Sequence, residues 1–557
     1  MEKRFFLAVL LTGLVVVLSP SLLPRSQAPS SAPSAGDVVD DHTASITGQS
    51  GRAGVGQAAP AAVPAGAPVK TGVEVARVVS AESVSVRIPN MSTYLFSTLG
   101  AGLLSVRVDS YPAYNGHGGQ VTLKHGSKPM LRFRVVAAGD TIALDRAIFT
   151  AAQGSAADGI RIVTFAGSTD AISATIRYQF ASDNYLATTS VTVQGAPNPA
   201  YLLVDLPSGF DTQEADSAGD TRLLAYAVKP LARGARGTAF ASLDSGQRKL
   251  ESGPLLWAVA KSKYFLVGLL VPSGGKPFAE AHLEGGVRTR KMATDGLATV
   301  VMPLENGATS FELYAGPQSW KRLHALGREF ETANPYGGWL QPLVQPFSTI
   351  VMRVLLWMKT FLGLGYGWVL VICGAAVRLL MWPLNQSAMR TSLRMQRIQP
   401  ELLEVQKKYK NDPQKQQQEI MRVYKEHGMS PFSAFSGCLP ALIPMPVLMT
   451  LYFVFQNTIE FRGVPFLWLH DISLHDPYYI LPLVMGGTMF VLSWIGMRNM
   501  PPNPQSKMIS YMLPVMLVVF LIQQAAGLSL YYTVQNIAAL PQQWLIANER
   551  AKSKRTT

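Results

Sequence analysis

CGAAVRLLMWPLNQS, residues 373–387, sets an arginine inside a stretch that otherwise has the composition of a membrane span. Counted from Tyr366, Arg378 lies 12 residues into that span. At about 1.5 Å per residue it sits roughly 18 Å deep in an apolar layer about 30 Å thick. A charge at that depth is costly and faces a bundle interior, a wet cavity or a partner. Snorkelling to the cytoplasmic interface, about 10 Å away, is the plain alternative. A carboxylate partner within the membrane is not on offer. No Asp or Glu occurs between Glu331 and Glu401, and after Glu426 come only Glu460, Asp471, Asp476 and then Glu549. A lone arginine of this kind points to a hydrated groove or a ligand. Gln456 and Asn457 close one apolar run, and Tyr531, Tyr532, Gln535 and Asn536 lie in the last. Each alone would serve as an interhelical hydrogen bonder, and together with Arg378 they are the candidate lining of a polar concavity.

Working outward, the chain has 557 residues, 48% hydrophobic and 15% charged, the balance of a membrane protein with a sizeable soluble part. The formal net charge of +14 suits anionic lipid or RNA-rich partners without choosing between them. The two cysteines, Cys373 and Cys438, both lie in apolar runs and read as small buried hydrophobes, with no disulfide framework. Near the N-terminus, EKR precedes FFLAVLLTGLVVVLSP, and this run fits a cleaved signal peptide or a retained anchor over residues 1–23. Residues 24–72, rich in Pro, Ala, Ser and Gly, read as a flexible linker.

From 73 to about 328 the texture is short period-two segments: VTLKH, LRFRVV, TIRYQF, TTSVTVQ, FELYAG. Ile176, Tyr178 and Phe180 share one face, with Arg177 and Gln179 on the other. This is the pattern of an antiparallel β-sandwich. His117, His125 and His282 lack ligand spacing and read as surface histidines.

The remainder, 329–557, is helical and apolar. Residues 343–362 read as an amphipathic helix in the interface plane, broken after it by Gly363, Gly365 and Gly367. Core spans follow at about 366–384, 435–456 and 478–497, and the run 508–546 splits at QQAAG, 523–527, into two more. Five core spans and the N-terminal helix make six. The segment 386–434 is basic, carrying Arg394, Arg397, Lys407, Lys408 and Arg422 among others, as is the tail. The loop 459–477 has one arginine against Glu460, Asp471 and Asp476. The positive-inside rule therefore puts 386–434 and both termini in the cytoplasm, and the β domain and loop 459–477 outside. Within 386–434, Ile398, Leu402, Val405 and Tyr409 recur at helical spacing, NDP at 411–413 turns the chain, and Asp412 caps a second helix with Pro413 at its first position. This is a helical hairpin of mixed charge, a simple connector or a docking arm, with no specific nucleic-acid site.

Four stretches in order, VRLLMWPLNQSAMRTSLRMQRIQPEL, MSPFSAFSGCLPALIPMPVLMTLYFVFQ, LPLVMGGTMFVLS and GLSLYYTVQNIAALPQQWLI, resemble the YidC family of membrane protein insertases. The resemblance implies a multi-pass α-helical inner-membrane protein: a retained N-terminal anchor, a periplasmic β-sandwich and a five-helix insertase core with a cytoplasmic hairpin. It implies a chaperone that inserts nascent membrane proteins alone or beside the Sec translocon and its accessory subunits. Arg378 matches the arginine of the hydrophilic groove, and the second core span and the last span, around Tyr531 and Tyr532, match the slide for substrate helices. Gly374, one turn before Arg378, stands where some relatives have a polar residue such as Thr. The tail is short, which leaves only weak ribosome contact through it. No cofactor is implied. No GxxxxGKS or GxxxxGKT loop, Ser/His/Asp set or intramembrane carboxylate pair is present, which speaks against an ATPase or a membrane enzyme. The runner-up, a transporter or channel, lacks the internal repeat it would call for.

Overall fold

The computed structural model describes residues 81–156, 159–289, 292–334, 341–383, 386, 398, 401–402, 404–427, 445–498 and 504–555. The expected anchor and linker, Arg394, Arg397 and Cys438 lie outside them.

The alternating segments are strands. Ser173–Phe180 alternates buried and open residues, with Ile176, Tyr178 and Phe180 inside. It pairs antiparallel with Arg161–Ser168 on one side and Leu186–Gln194 on the other. Among the described residues these belong to a 14-stranded sheet, and Ser83–Ile88, Ser92–Ser97, Leu103–Pro112 and Gln120–Leu123 form a four-stranded sheet. Aromatic rings join the two. Phe96 of the small sheet lies 4.7 Å from Tyr178 and 5.7 Å from Phe165, and Tyr94 lies 4.5 Å from Phe180. Inward rings of both sheets thus share one core, which is sandwich packing. His125 is not a loose surface histidine: its ring is half-buried and its Nε2 lies 2.8 Å from Asp295.

A short helix, α1 (Ser217–Arg222), and a second, α2 (Trp320–Ala325), flank the sheets. Then α3 (Gln341–Leu362) buries Val344, Ser348, Met352, Leu355 and Met358 on one face. Phe347, Ile350, Val354, Trp357 and Phe361 form a second, exposed apolar stripe at helical spacing. An exposed stripe of this kind is what a helix lying in a lipid interface presents. The chain then bends by 116° into α4 (Tyr366–Leu380). Gly363, with φ +66°, takes the left-handed turn that ends α3.

Within the segment expected to be a hairpin, the described residues of 398–427 form two arms. In α5 (Pro413–Glu426), the Asp412 carboxylate accepts from the Lys415 N–H at 3.1 Å. Its two arms touch near the tip, where Gln416 donates to the Gln406 carbonyl at 3.0 Å, and near the base, where His427 lies 3.6 Å from Glu401. The core continues with α6 (Met445–Asn457), α7 (Ile480–Met497), α8 (Pro504–Leu521) and α9 (Ala526–Arg555). Among the described residues α7 alone is long and apolar enough to cross a bilayer by itself, and α3 with α4 passes as a bent pair. The split of the last apolar run falls between Leu521 and Ala526, within a residue or two of the expected break.

The loop 459–477 ties the β domain to the helices. Ile459 is buried in the β core. The Glu460 carboxylate accepts from the Ser319 hydroxyl at 3.1 Å and the Trp320 N–H at 3.0 Å, capping α2. Phe461 turns the other way, stacking on Phe455 of α6 at 4.9 Å and meeting Tyr366 of α4 edge-on at 5.3 Å. Arg462 returns to the β domain. Its Nε lies 2.9 and 3.0 Å from the two carboxylate oxygens of Glu214, and its Nη2 donates to the Pro112 carbonyl at 2.8 Å. Its guanidinium also lies over Tyr114, 4.4 Å from the ring centre. The later part of the loop closes helix ends: Asp476 accepts from Leu481 N–H at 2.8 Å at the start of α7, and the Ile472 and Leu474 carbonyls accept from Gly527 and Ala526 at the start of α9. Burial pushes the Glu460 carboxyl up, and the bonds from Ser319 and Trp320 draw it part of the way back.

Both partners of the Arg462–Glu214 pair are buried, the side chains 2% and 8% exposed. Removing one partner leaves an uncompensated buried charge, at a cost of about 3–5 kcal/mol. Arg462→Met alone should therefore lower the thermal midpoint of the full chain in detergent, and adding Glu214→Leu should recover most of the loss. A double variant no more stable than the single one would contradict this. Nearby, burial pushes the Lys261 ammonium down to about 8. Between that value and its ordinary one near 10.5 the unfolded chain binds a proton that the folded chain does not, so Lys261 makes stability rise with pH across that window. Lys261→Met should raise the melting point at neutral pH and flatten that rise.

Candidate functional site

Arg378 lies in the last turn of α4, half-buried. Its Nη2 donates to Oε1 of Gln542 on α9 at 3.0 Å. Its Nε is buried, with no partner among the described residues. Among them no carboxylate forms an ion pair with it, in keeping with the absence of acidic residues from the apolar spans. The arginine is thus anchored by a neutral group and keeps its charge.

Helix α9 can reach it because Gly374 is small. A Cβ at Gly374 would stand 3.3 Å from Val534 and 3.4 Å from Tyr531, so the α4 backbone packs directly on those two residues. Tyr531 is 2% exposed and accepts a bond from Gln535 one turn later, and Tyr532 meets Tyr531 edge-on at 5.5 Å. Asn536 turns to α7, donating to the Thr488 hydroxyl at 3.2 Å and the Met485 carbonyl at 3.4 Å. The Ser529 and Thr450 hydroxyls are fully buried without a partner among the described residues. The interior between α6 and α9 therefore holds more polar groups than its own hydrogen bonds use.

Gln456 and Asn457 do not join Arg378. Gln456 donates to Gln524 at 2.9 Å at the outer end of the core, and Asn457 donates back to Phe453 while its backbone carbonyl accepts from Asn334, between α2 and α3, at 3.3 Å. The reason is direction: α6 ends where α4 begins, so its last turn lies beside the outer loop rather than beside the inner half of α4. On the hairpin, Lys407 and Lys408 are exposed, while Arg422 is tied within its helix to Glu426 at 2.9 Å and Glu419 at 3.9 Å.

Gln542 was not among the residues picked out by sequence. A signal existed: it follows Tyr531 by 11 residues, three helical turns, and so shares a face with Tyr531 and Gln535. Pro541 just before it gives the segment the look of a helix end. Gly374→Leu should push α4 and α9 apart and destabilise the chain by about 1–3 kcal/mol, while Gly374→Ala should be close to neutral. Thermal melts of the two variants in detergent distinguish them.

The description "60Kd inner membrane protein" fits residues 357–554 as a family model, and "YidC periplasmic domain" fits residues 86–350. A protein named Membrane protein insertase YidC from Chlorobium phaeovibrioides is 32% identical over 402 residues, covering 67% of this chain and 66% of its own. One of the same name from an Anaeromyxobacter species is 31% identical over 326 residues, 57% of this chain and 56% of its own. A crystal structure described as an active YidC insertase with its first transmembrane domain resolved aligns at 18% identity with a TM-score of 0.33, over 83% of this chain and 92% of that one. The chain thus spans somewhat over half to about two thirds of the length of these first two relatives.

Proposed function

The chain belongs to the YidC family of inner-membrane proteins with a periplasmic β-rich domain, and on that premise we propose that it is an insertase: it moves short polar segments of nascent membrane proteins across the bilayer and releases their apolar helices sideways into lipid. The observation that carries this reading is Arg378, a cation in the inner half of a span, held only by a neutral amide among the described residues. Such a group draws the polar or acidic part of a crossing segment inward, shortening the hydrocarbon path it must cross. Burial of the substrate's own apolar surface then drives it out of the groove. No bond is made or broken, and no cofactor enters.

In this reading the chain has six spans. The hairpin 386–434 and the C-terminus are cytoplasmic, the hairpin receiving substrates on the exposed Lys407 and Lys408, with Arg394, Arg397 and Arg422 adding to its charge. Tyr531, Tyr532, Gln535 and Asn536 line the path of the substrate helix, while Gln456 and Asn457 close its outer end. The Sec translocon is a partner for larger substrates, and the basic residues Arg550, Lys552, Lys554 and Arg555 offer a ribosome contact.

The test is insertion of a short single-span protein into liposomes holding the purified chain, its Arg378→Ala variant, or neither. Chain-dependent protease protection of the substrate is expected, reduced in the variant and better preserved by Arg378→Lys. Protection equal to that in empty liposomes would end the autonomous reading.

A further inference from the structure

Gln542 is 1% exposed, among the most buried polar residues of the helical core. Both ends of its amide are used. Oε1 accepts from Arg378 Nη2 at 3.0 Å, and Nε2 donates to the Trp382 carbonyl at 3.1 Å. Trp382 lies one residue beyond the cap of α4, where the chain turns into its next helical residues. The orientation of the amide follows from chemistry. A guanidinium has only donors and a carbonyl only acceptors, so the oxygen must face Arg378 and the nitrogen must face Trp382.

The two bonds have different consequences. The one to Trp382 fixes Gln542 against α4. The one to Arg378 then fixes the guanidinium while occupying a single donor of the five an arginine carries. Among the described residues, the buried Nε has no partner and the remaining N–H groups stay available. A glutamate at 542 would pair with the arginine and cancel its charge, while losing the bond to the Trp382 carbonyl, which a carboxylate cannot donate. A leucine would cancel nothing and hold nothing. Glutamine is the residue that holds without neutralising.

We infer that Gln542 is a positioning residue: it clamps Arg378 in one orientation, uncompensated, so that the site prefers substrates whose translocated segment carries acidic side chains. This deepens the insertase reading and rests on it. An ordinary interhelical tie would have the same bonds but would affect every substrate alike, so the experiment reads a ratio.

The full chain is reconstituted in liposomes with two single-span substrates identical except for two aspartates or two serines in the translocated tail. The wild-type chain is expected to favour the acidic tail. Gln542→Glu should abolish that preference while leaving the serine substrate within about twofold, because a carboxylate now pairs the arginine. Gln542→Leu should lower the preference by about three- to tenfold, the range of a polar tie between membrane helices. In an Arg378→Ala background, Gln542→Leu should have no further effect on the preference. Equal losses for both substrates, or a Gln542→Leu loss of preference that persists without Arg378, would overturn the inference and make Gln542 a packing tie.

A second measurement does not need insertion. Nitrogen-15 spectra of the guanidinium groups in proteoliposomes, with the Arg378 signal assigned by its loss in Arg378→Lys, report its mobility. The signal should be rigid in the wild type and in Gln542→Glu, and motionally averaged in Gln542→Leu. Rigidity in all three would refute the clamp. A rigid signal in the wild type, averaged in Gln542→Leu, beside a chain that inserts neither substrate would end the insertase reading and leave the clamp standing.

Discussion

A buried arginine–glutamate pair joins the parts of this molecule that lie in different solvents. Arg462 belongs to a loop between membrane helices, and Glu214 belongs to a β domain built for water. Taking two charges out of water is expensive, and the attraction between them offsets the cost only when geometry and further hydrogen bonds are good. Here the Pro112 carbonyl and the Tyr114 ring complete the shell of the arginine. Glu460, two residues earlier, enters the same β domain by capping a helix, and Phe461 between them enters the helical core. Alternate residues of one short segment thus serve opposite sides of a junction. The β domain is seated on the helices, not hung from them.

The same loop sets the positions of the spans. Asp476 closes the start of α7, the Ile472 and Leu474 carbonyls close the start of α9, and Phe466 packs where Gly367 of α4 leaves no side chain. Helices fixed at their outer ends are aligned further down, which is where Gly374 lets α9 pack on α4 and where Arg378 meets Gln542. The geometry of the inner site depends on contacts made at the outer surface.

Much of this was legible from sequence because it follows from period and from turn chemistry. Ile176, Tyr178 and Phe180 on one face define a strand whatever surrounds them. Asp412–Pro413 defines a helix start, and Gly363 a break. The tie between parts was not legible. Arg462 reads as an ordinary loop charge, useful only for counting sides of the membrane, because nothing local marks a partner 248 residues away. Gln456 and Asn457 look like groove residues by type, and only the direction of α6 sends them to the outer end. Gln542 carries a helical-spacing signal, hidden behind a proline. Residue type and spacing give elements, whereas pairing across elements depends on a third dimension that a single sequence does not carry.

On the reading in which α3 lies along the lipid surface, its exposed stripe, Phe347 to Phe361, would act together with the 116° bend as a waterline. A helix wedded to the lipid surface fixes how deep the molecule floats, and the seated β domain then stands at a set height above it. In a thinner or thicker bilayer that height does not change. The adjustment would then fall on the lipid around the helices and on their ends away from the β domain, at a cost of a fraction of a kcal/mol per ångström. On that reading the depth of Arg378 would be set by measurement from the outer surface, and the thickness of any polar path beneath it by the membrane.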